Sequence, residues 1–117
     1  METVNGCTVI PPPETPEPIS LGPDETRGSY VAMIGMFPPG EPGPPPHLHP
    51  HTDETFYVAS GEATFLLGNR EMEVTPGSTV FVPRGTRHTV WNSGDVPVRG
   101  LILVSPGDAE HLFEAAE

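Results

Sequence analysis

Glu54-Thr55-Phe56-Tyr57-Val58-Ala59-Ser60-Gly61-Glu62-Ala63-Thr64-Phe65-Leu66-Leu67 is the stretch that decides the fold. Two runs, Glu54 to Ala59 and Glu62 to Leu67, have strand length and carry β-branched and aromatic residues. They meet at Ser60-Gly61, a turn signal. Further along, Gly68-Asn69-Arg70 turns and Glu71 to Val74 alternates polar with apolar. Pro76-Gly77 turns again, Thr79 to Val82 is a short strand, and Pro83 to Gly85 is another turn. Arg87 to Trp91 and Val98 to Val104 complete the series. Short strands separated by turns, with no helix-period pattern before residue 108 and no internal repeat, predict an all-β sandwich or barrel.

Toward the N-terminus, Tyr30 to Phe37 is an apolar run broken only by Gly35, which predicts a buried strand. Pro38 to Pro46 reads as a loop. Residues 1–29 read as an irregular Pro-rich arm, because Pro11, Pro12, Pro13, Pro16 and Pro18 donate no ladder hydrogen bonds. The arm is either solvated or an edge strand exchanged with a neighbouring subunit. At the other end, Asp108 is placed to N-cap a short helix through Glu117, with Leu112 and Phe113 as its apolar contacts. The expected organisation is therefore an arm over 1–29, a barrel over 30–107 and a helix over 108–117.

The 117 residues suffice for one domain with one core. Of 17 prolines, thirteen lie between Pro11 and Pro50, so the excess is local. Sixteen acidic residues against five arginines and no lysine leave a net charge of −11. That excludes the basic footprint of a nucleic-acid binder and opposes an anionic membrane surface. No run of eighteen apolar residues occurs, and no basic-then-apolar leader opens the chain, so a cytoplasmic location is expected. Cys7 stands alone, which rules out an internal disulfide and a Cys-rich zinc site.

Chemistry concentrates in Pro46-His47-Leu48-His49-Pro50-His51-Thr52-Asp53-Glu54 and in His88. On an extended segment His47 and His49 share a face, with Cβ atoms roughly 6.5–7 Å apart. Both rings then reach one ion at about 2.0–2.2 Å. Glu54 opens the next strand with Phe56 and Val58 on its face, and His88 opens another with Val90 and Asn92 on its side. Three imidazoles and one carboxylate suit one divalent transition metal (Fe, Mn, Ni, Cu or Zn) and not Mg or Ca, which take all-oxygen shells. Four protein ligands leave two positions of an octahedron for other molecules.

These residues resemble the cupin superfamily. Its first motif, G-x5-H-x-H-x3,4-E-x6-G, is met by His47, His49, Glu54 and Gly61, with Gly40 one residue further from His47 than the pattern has it. Its second, G-x5-P-x-G-x2-H-x3-N, is met by Gly77, Pro83, Gly85, His88 and Asn92 with every spacing kept. The end Ser105-Pro106-Gly107 with a short helix is similar to small quercetin-dioxygenase-like cupins. The resemblance implies a jelly-roll (double-stranded β-helix) barrel, metal ligation by His47, His49, Glu54 and His88, and a homodimer.

Three functions are open at this point. One is a metal-dependent, dioxygenase-like oxidoreductase on a small aromatic or enol-bearing molecule. The second is a non-redox lyase, isomerase or cyclase in which Glu54 or His51 moves a proton. The third is a non-catalytic ligand-binding module. His51 is either a rim histidine or a proton shuttle at the barrel mouth. Asp53 faces away from Glu54, Tyr57 packs, and one of Met33 and Met36 lines the cavity. Trp91 reads as a core or dimer contact, Arg84 and Arg87 pair with acidic surface or, for Arg87, face an anionic ligand at a mouth, and His111 is exposed.

Overall fold

Burial that alternates along residues 53–60, with apolar side chains turned inward, helps close two antiparallel sheets around a shared interior. The computed structural model describes residues 1–14 and 18–107. In chain order the elements are β1 (Glu2–Val4), β2 (Cys7–Val9), β3 (Ile19–Leu21), α1 (Pro23–Thr26), β4 (Val31–Phe37), β5 (Asp53–Ser60) and β6 (Ala63–Leu67). Then follow β7 (Arg70–Val74), β8 (Thr79–Val82), β9 (His88–Trp91) and β10 (Val98–Ser105). One sheet has the order β3-β4-β10-β5-β8 and the other β7-β6-β9. This is the all-β double-stranded β-helix expected, and its strand boundaries from β4 onward lie within a residue of those read from the sequence.

The turn at Ser60-Gly61 does not close a hairpin. β5 and β6 belong to different sheets, so Gly61 turns a barrel corner. Its φ is +79°, and a Cβ there would stand 2.3 Å from the Pro97 carbonyl oxygen. Only glycine satisfies both conditions.

Cross-strand register stacks the interior in layers. Val31, Val104, Glu54 and Val82 are successive cross-strand neighbours in one layer, Met33, Ile102, Phe56 and Val80 in the next, and Gly35, Gly100 and Val58 in a third. Layers two residues apart along a strand are separated by about 6.6–6.8 Å. From the smaller sheet, His88 pairs with Leu67 and Val90 with Phe65. Phe56, Val58, Ala63, Phe65, Val74, Val82, Val90 and Val98 form the buried cluster.

Asn92, 1% exposed, locks the loops beside this core. Its Nδ2 donates to the carbonyls of Phe37, Pro38 and Val96 at 3.2, 3.2 and 2.8 Å, and its Oδ1 accepts from Gly94 N–H at 3.0 Å. Asn92→Ala strands several buried backbone groups and is expected to lower stability by about 2–4 kcal/mol in urea denaturation. Asn92→Asp, which cannot donate to the carbonyls, should not rescue it.

Two expectations change. Residues 1–29 hold more regular structure than their prolines imply. β1 and β2 form a hairpin about Asn5-Gly6, whose positive φ values of 49° and 80° suit a two-residue turn. β3 adds to the sheet of its own chain by pairing with β4, and a single helical turn, α1, starts with Pro23 at its first position. The His47-x-His49 segment is not a strand. The prolines around it leave one isolated bridge, His47 with His88. The helix expected over 108–117 lies outside the described residues. Among the described residues no helix is long and apolar enough to cross a membrane.

Candidate metal centre

Each ligand side chain is held by backbone that a different local rule shapes. Glu54 is the second residue of β5, and strand alternation turns it inward with Phe56 and Val58. His88 opens β9 and is 2% exposed. The loop carrying His47 and His49 is tied down by backbone bonds: His47 N–H donates to His88 O at 3.0 Å, His88 N–H to His47 O at 2.8 Å, and Gly85 N–H to His49 O at 2.8 Å. Thr89 Oγ1 donates to Pro44 O at 2.6 Å, anchoring the proline run to β9. The structure thus brings all four predicted ligands together, with one donor atom from each lying within 4.8 Å of the others.

The orientation of the rings favours a cation at their centre. His47 Nδ1 and His88 Nδ1 each lie 2.8 Å from a backbone carbonyl, Pro45 O and Thr86 O respectively. A carbonyl only accepts, so each Nδ1 carries the proton and each Nε2 is left as the ligating nitrogen. The three ring centroids are 4.6–5.6 Å apart. Glu54 Oε1 is 2.6 Å from His49 Nε2 and 3.2 Å from His88 Nε2. Such a nitrogen-rich set with one carboxylate fits a divalent transition metal. One of its two carboxyl oxygens already lies among the imidazole nitrogens.

The imidazoles differ in proton affinity. Burial pushes the His49 pKa down, against the pull of Glu54 and with help from His47 and His88. Burial also acts to lower His88, but hydrogen bonds to Glu54 and to the Thr86 carbonyl, with the Glu54 charge, outweigh it and raise its pKa. A metal must displace the His88 proton, so apparent metal affinity is expected to fall as pH drops from about 8 to about 5.5, through and above the ordinary imidazole range. Competition titrations at several pH values measure this, and a pH-independent affinity would contradict ligation by His88.

Outside the ligands, the Pro83-to-Gly85 turn clamps the segment between His49 and Glu54. Arg84 N–H donates to Asp53 Oδ1 at 2.8 Å, while its guanidinium donates to Oδ1 at 3.1 Å and Oδ2 at 3.2 Å. The hydrogen bonds from Arg84 hold the Asp53 carboxyl below its usual range. Asp53→Ala frees the residue next to Glu54 and is expected to weaken metal binding about tenfold, with the fold retained; calorimetric titration reads it. The expected pairing of Arg84 with acidic surface is therefore this specific contact. The spacing of Asp53 and Arg84 in the chain, 31 residues, carried no signal that they meet.

A cavity of about 170 Å³ opens on the four ligands, walled by Met33, Phe37, Phe56, Val90, Ile102 and Val104 among others. Met33 is thus the inward methionine of β4, and Met36 is more exposed. The β10 walls, and which of the two β4 methionines turns inward, were not assigned from sequence, because a continuous apolar run does not show which face turns inward. His51 is exposed and does not line this cavity. Tyr57, 43% exposed, lies on the outer face of β5.

Known proteins resemble the chain in sequence and in fold. The chain is 34% identical over 60 residues to Tetracenomycin polyketide synthase protein TcmJ of Streptomyces glaucescens, covering 51% of this chain and 40% of that protein. It is 42% identical over 53 residues to Oxidoreductase iacF of Pestalotiopsis fici, covering 44% of this chain and 26% of that protein. The chain thus spans less than half the length of either. A conserved Klebsiella pneumoniae protein with a double-stranded β-helix domain superposes with a TM-score of 0.69 at 30% identity, over 91% of this chain and 90% of its own. Residues 33–111 match the family model described as the cupin domain, and with both motifs folded into one ligand cluster the chain belongs to the cupin family.

Proposed function

We propose that the chain is a metal-dependent enzyme for a small molecule, and that its chemistry is that of a dioxygenase-like oxidoreductase on an aromatic or enol-bearing substrate. The observation that carries this is the convergence of three imidazoles and Glu54 at the head of an apolar cavity. A bound redox-active metal supplies Lewis acidity toward substrate oxygens and a site for dioxygen. Phe56, Met33 and Ile102 hold the substrate's apolar body and exclude water. Glu54, the acidic group of the cluster, accepts the substrate proton, and His51, exposed three residues earlier, relays it to solvent. The likeness to an oxidoreductase agrees with this reading, although fold alone does not decide chemistry.

A second reading, a non-redox lyase, isomerase or cyclase, is favoured by the likeness to a polyketide synthase protein. Substrate-dependent oxygen uptake by the Fe-, Mn-, Ni- or Cu-loaded protein supports the first. Full turnover by the zinc-loaded protein without oxygen supports the second, and tight ligand binding without turnover leaves a binding module. We also place a homodimer contact on the outer face of the larger sheet, where Ile34, Tyr57 and Phe81 are 50%, 43% and 60% exposed. Light scattering of wild type and Ile34→Glu tests it, and a monomeric wild type overturns it.

A further inference from the structure

Beyond the metal layer the barrel holds a second space, and glycines make it. Gly35 on β4 and Gly100 on β10 are direct cross-strand partners. Both fall on the inward face by alternation, between the more exposed Ile34 and Met36 and between Arg99 and Leu101. Where the neighbouring layer presents Met33 and Ile102, this layer presents no side chain on two adjacent strands. Facing it across the interior is Ala63, 1% exposed. A chamber of about 190 Å³ results, to which Gly35, Gly100, Val58, Ala63 and Phe65 all contribute wall. Among the described residues no charged side chain lines it.

The two glycines are there for different reasons. At Gly100 a Cβ would lie 2.2 Å from the Tyr57 carbonyl oxygen, beside the register shift between Arg99 and Gly100. The backbone therefore demands glycine. At Gly35 the nearest described atoms to a Cβ would be those of Pro18, from 3.6 Å, an ordinary contact, and φ is not positive. Nothing in the backbone requires glycine there. A glycine inside a strand sacrifices packing and conformational entropy, and what this one provides is the volume of the chamber.

The chamber adjoins the metal side. Met33, Phe37, Phe56, Val90 and Ile102 wall both spaces. The glycine layer lies four residues along the strands from the Glu54 layer, about 13 Å. Each space alone is smaller than a typical small-molecule site, and together they reach the low end of the roughly 300–1,000 Å³ range.

We propose that the Gly35/Gly100 chamber receives the uncharged apolar end of a ligand whose oxygen-bearing head lies among His47, His49, Glu54 and His88, and that Gly35 sets the length of apolar end admitted. The placement of the head rests on the metal-centred reading above; the chamber does not. An apolar cavity of this kind binds benzene, so benzene titrated into the full chain tests the chamber by methyl NMR, whatever the metal content. The expected result is shifts at Val58, Val90 and Ile102, with affinity at least about tenfold weaker in Gly35→Val and intermediate in Gly35→Ala. Gly35→Ala, whose one new contact is ordinary, carries the test if the valine variant does not fold. No benzene binding, or equal binding in the folded variants, overturns the chamber.

The second arm uses straight-chain alkyl hydroxamates on the metal-loaded protein, read by calorimetry. Acetohydroxamate is expected to bind wild type and Gly35→Ala equally. Lengthening the tail tightens binding about fourfold per buried methylene in wild type, and the gain stops at a shorter tail in Gly35→Ala. Equal chain-length dependence in the two proteins overturns Gly35 as the determinant. Failure of acetohydroxamate to bind overturns the placement of the head at the metal, while the benzene result reports the chamber separately.

Discussion

Replacing His88 by alanine is expected to reduce bound metal from one equivalent to a small fraction, with an affinity loss of more than about 100-fold. That exceeds the ten- to hundredfold typical of removing an outer partner of a ligand. His88 is nearly fully buried, and its Nδ1 is committed to the Thr86 carbonyl, so its Nε2 has a fixed direction toward Glu54 and the other imidazoles. No other described side chain stands ready to replace it among the cluster. Elemental analysis of purified wild type and variant decides the matter, and an unchanged metal-to-protein ratio would sink the four-ligand assignment. The backbone pairing of residues 47 and 88 does not need the imidazole, so circular dichroism should show the barrel intact.

Phe65→Ala should have the largest effect on stability, about 3–5 kcal/mol. Phe65 is 1% exposed and meets Phe56 edge to face, with centroids 5.2 Å apart at 80°. It reaches from the smaller sheet across the barrel, so its loss removes contact between the two sheets and enlarges a cavity already present. Against a total stability of about 5–15 kcal/mol, that lowers Tm by roughly 10–25 °C. Urea denaturation should show a lower midpoint with an unchanged slope. A loss below about 1 kcal/mol would contradict its place in the core.

Most of the strand positions were legible in the chain. Turn residues such as Pro76-Gly77 and Pro83 to Gly85 end one element and begin the next for local steric reasons, so the strands from β4 onward lie where the sequence puts them. Residues 1–29 were harder. Proline forbids ladder donation, but Ile19–Leu21 between Pro18 and Pro23 carries none, and it pairs with the edge that β4 offers. The His47-x-His49 segment was expected as strand on the strength of its alternation. Its shared face is instead held by a single bridge to His88 and by Gly85 N–H on His49 O.

The four candidate ligands could be named from the chain, because imidazole and carboxylate chemistry belongs to residue type, and the two spaced motifs carry it. So were the acidic charge and the absence of a basic footprint. Tertiary structure decided what lies around those ligands. Contacts between residues far apart in sequence, such as Asp53 with Arg84 or Thr89 with Pro44, depend on which strands become neighbours. The chamber is the sharpest case. Gly35 and Gly100 are 65 positions apart and read as two ordinary glycines, until the register of β4 against β10 sets them side by side and turns two missing side chains into one space. Register is a property of strand pairs, and a single sequence does not state it.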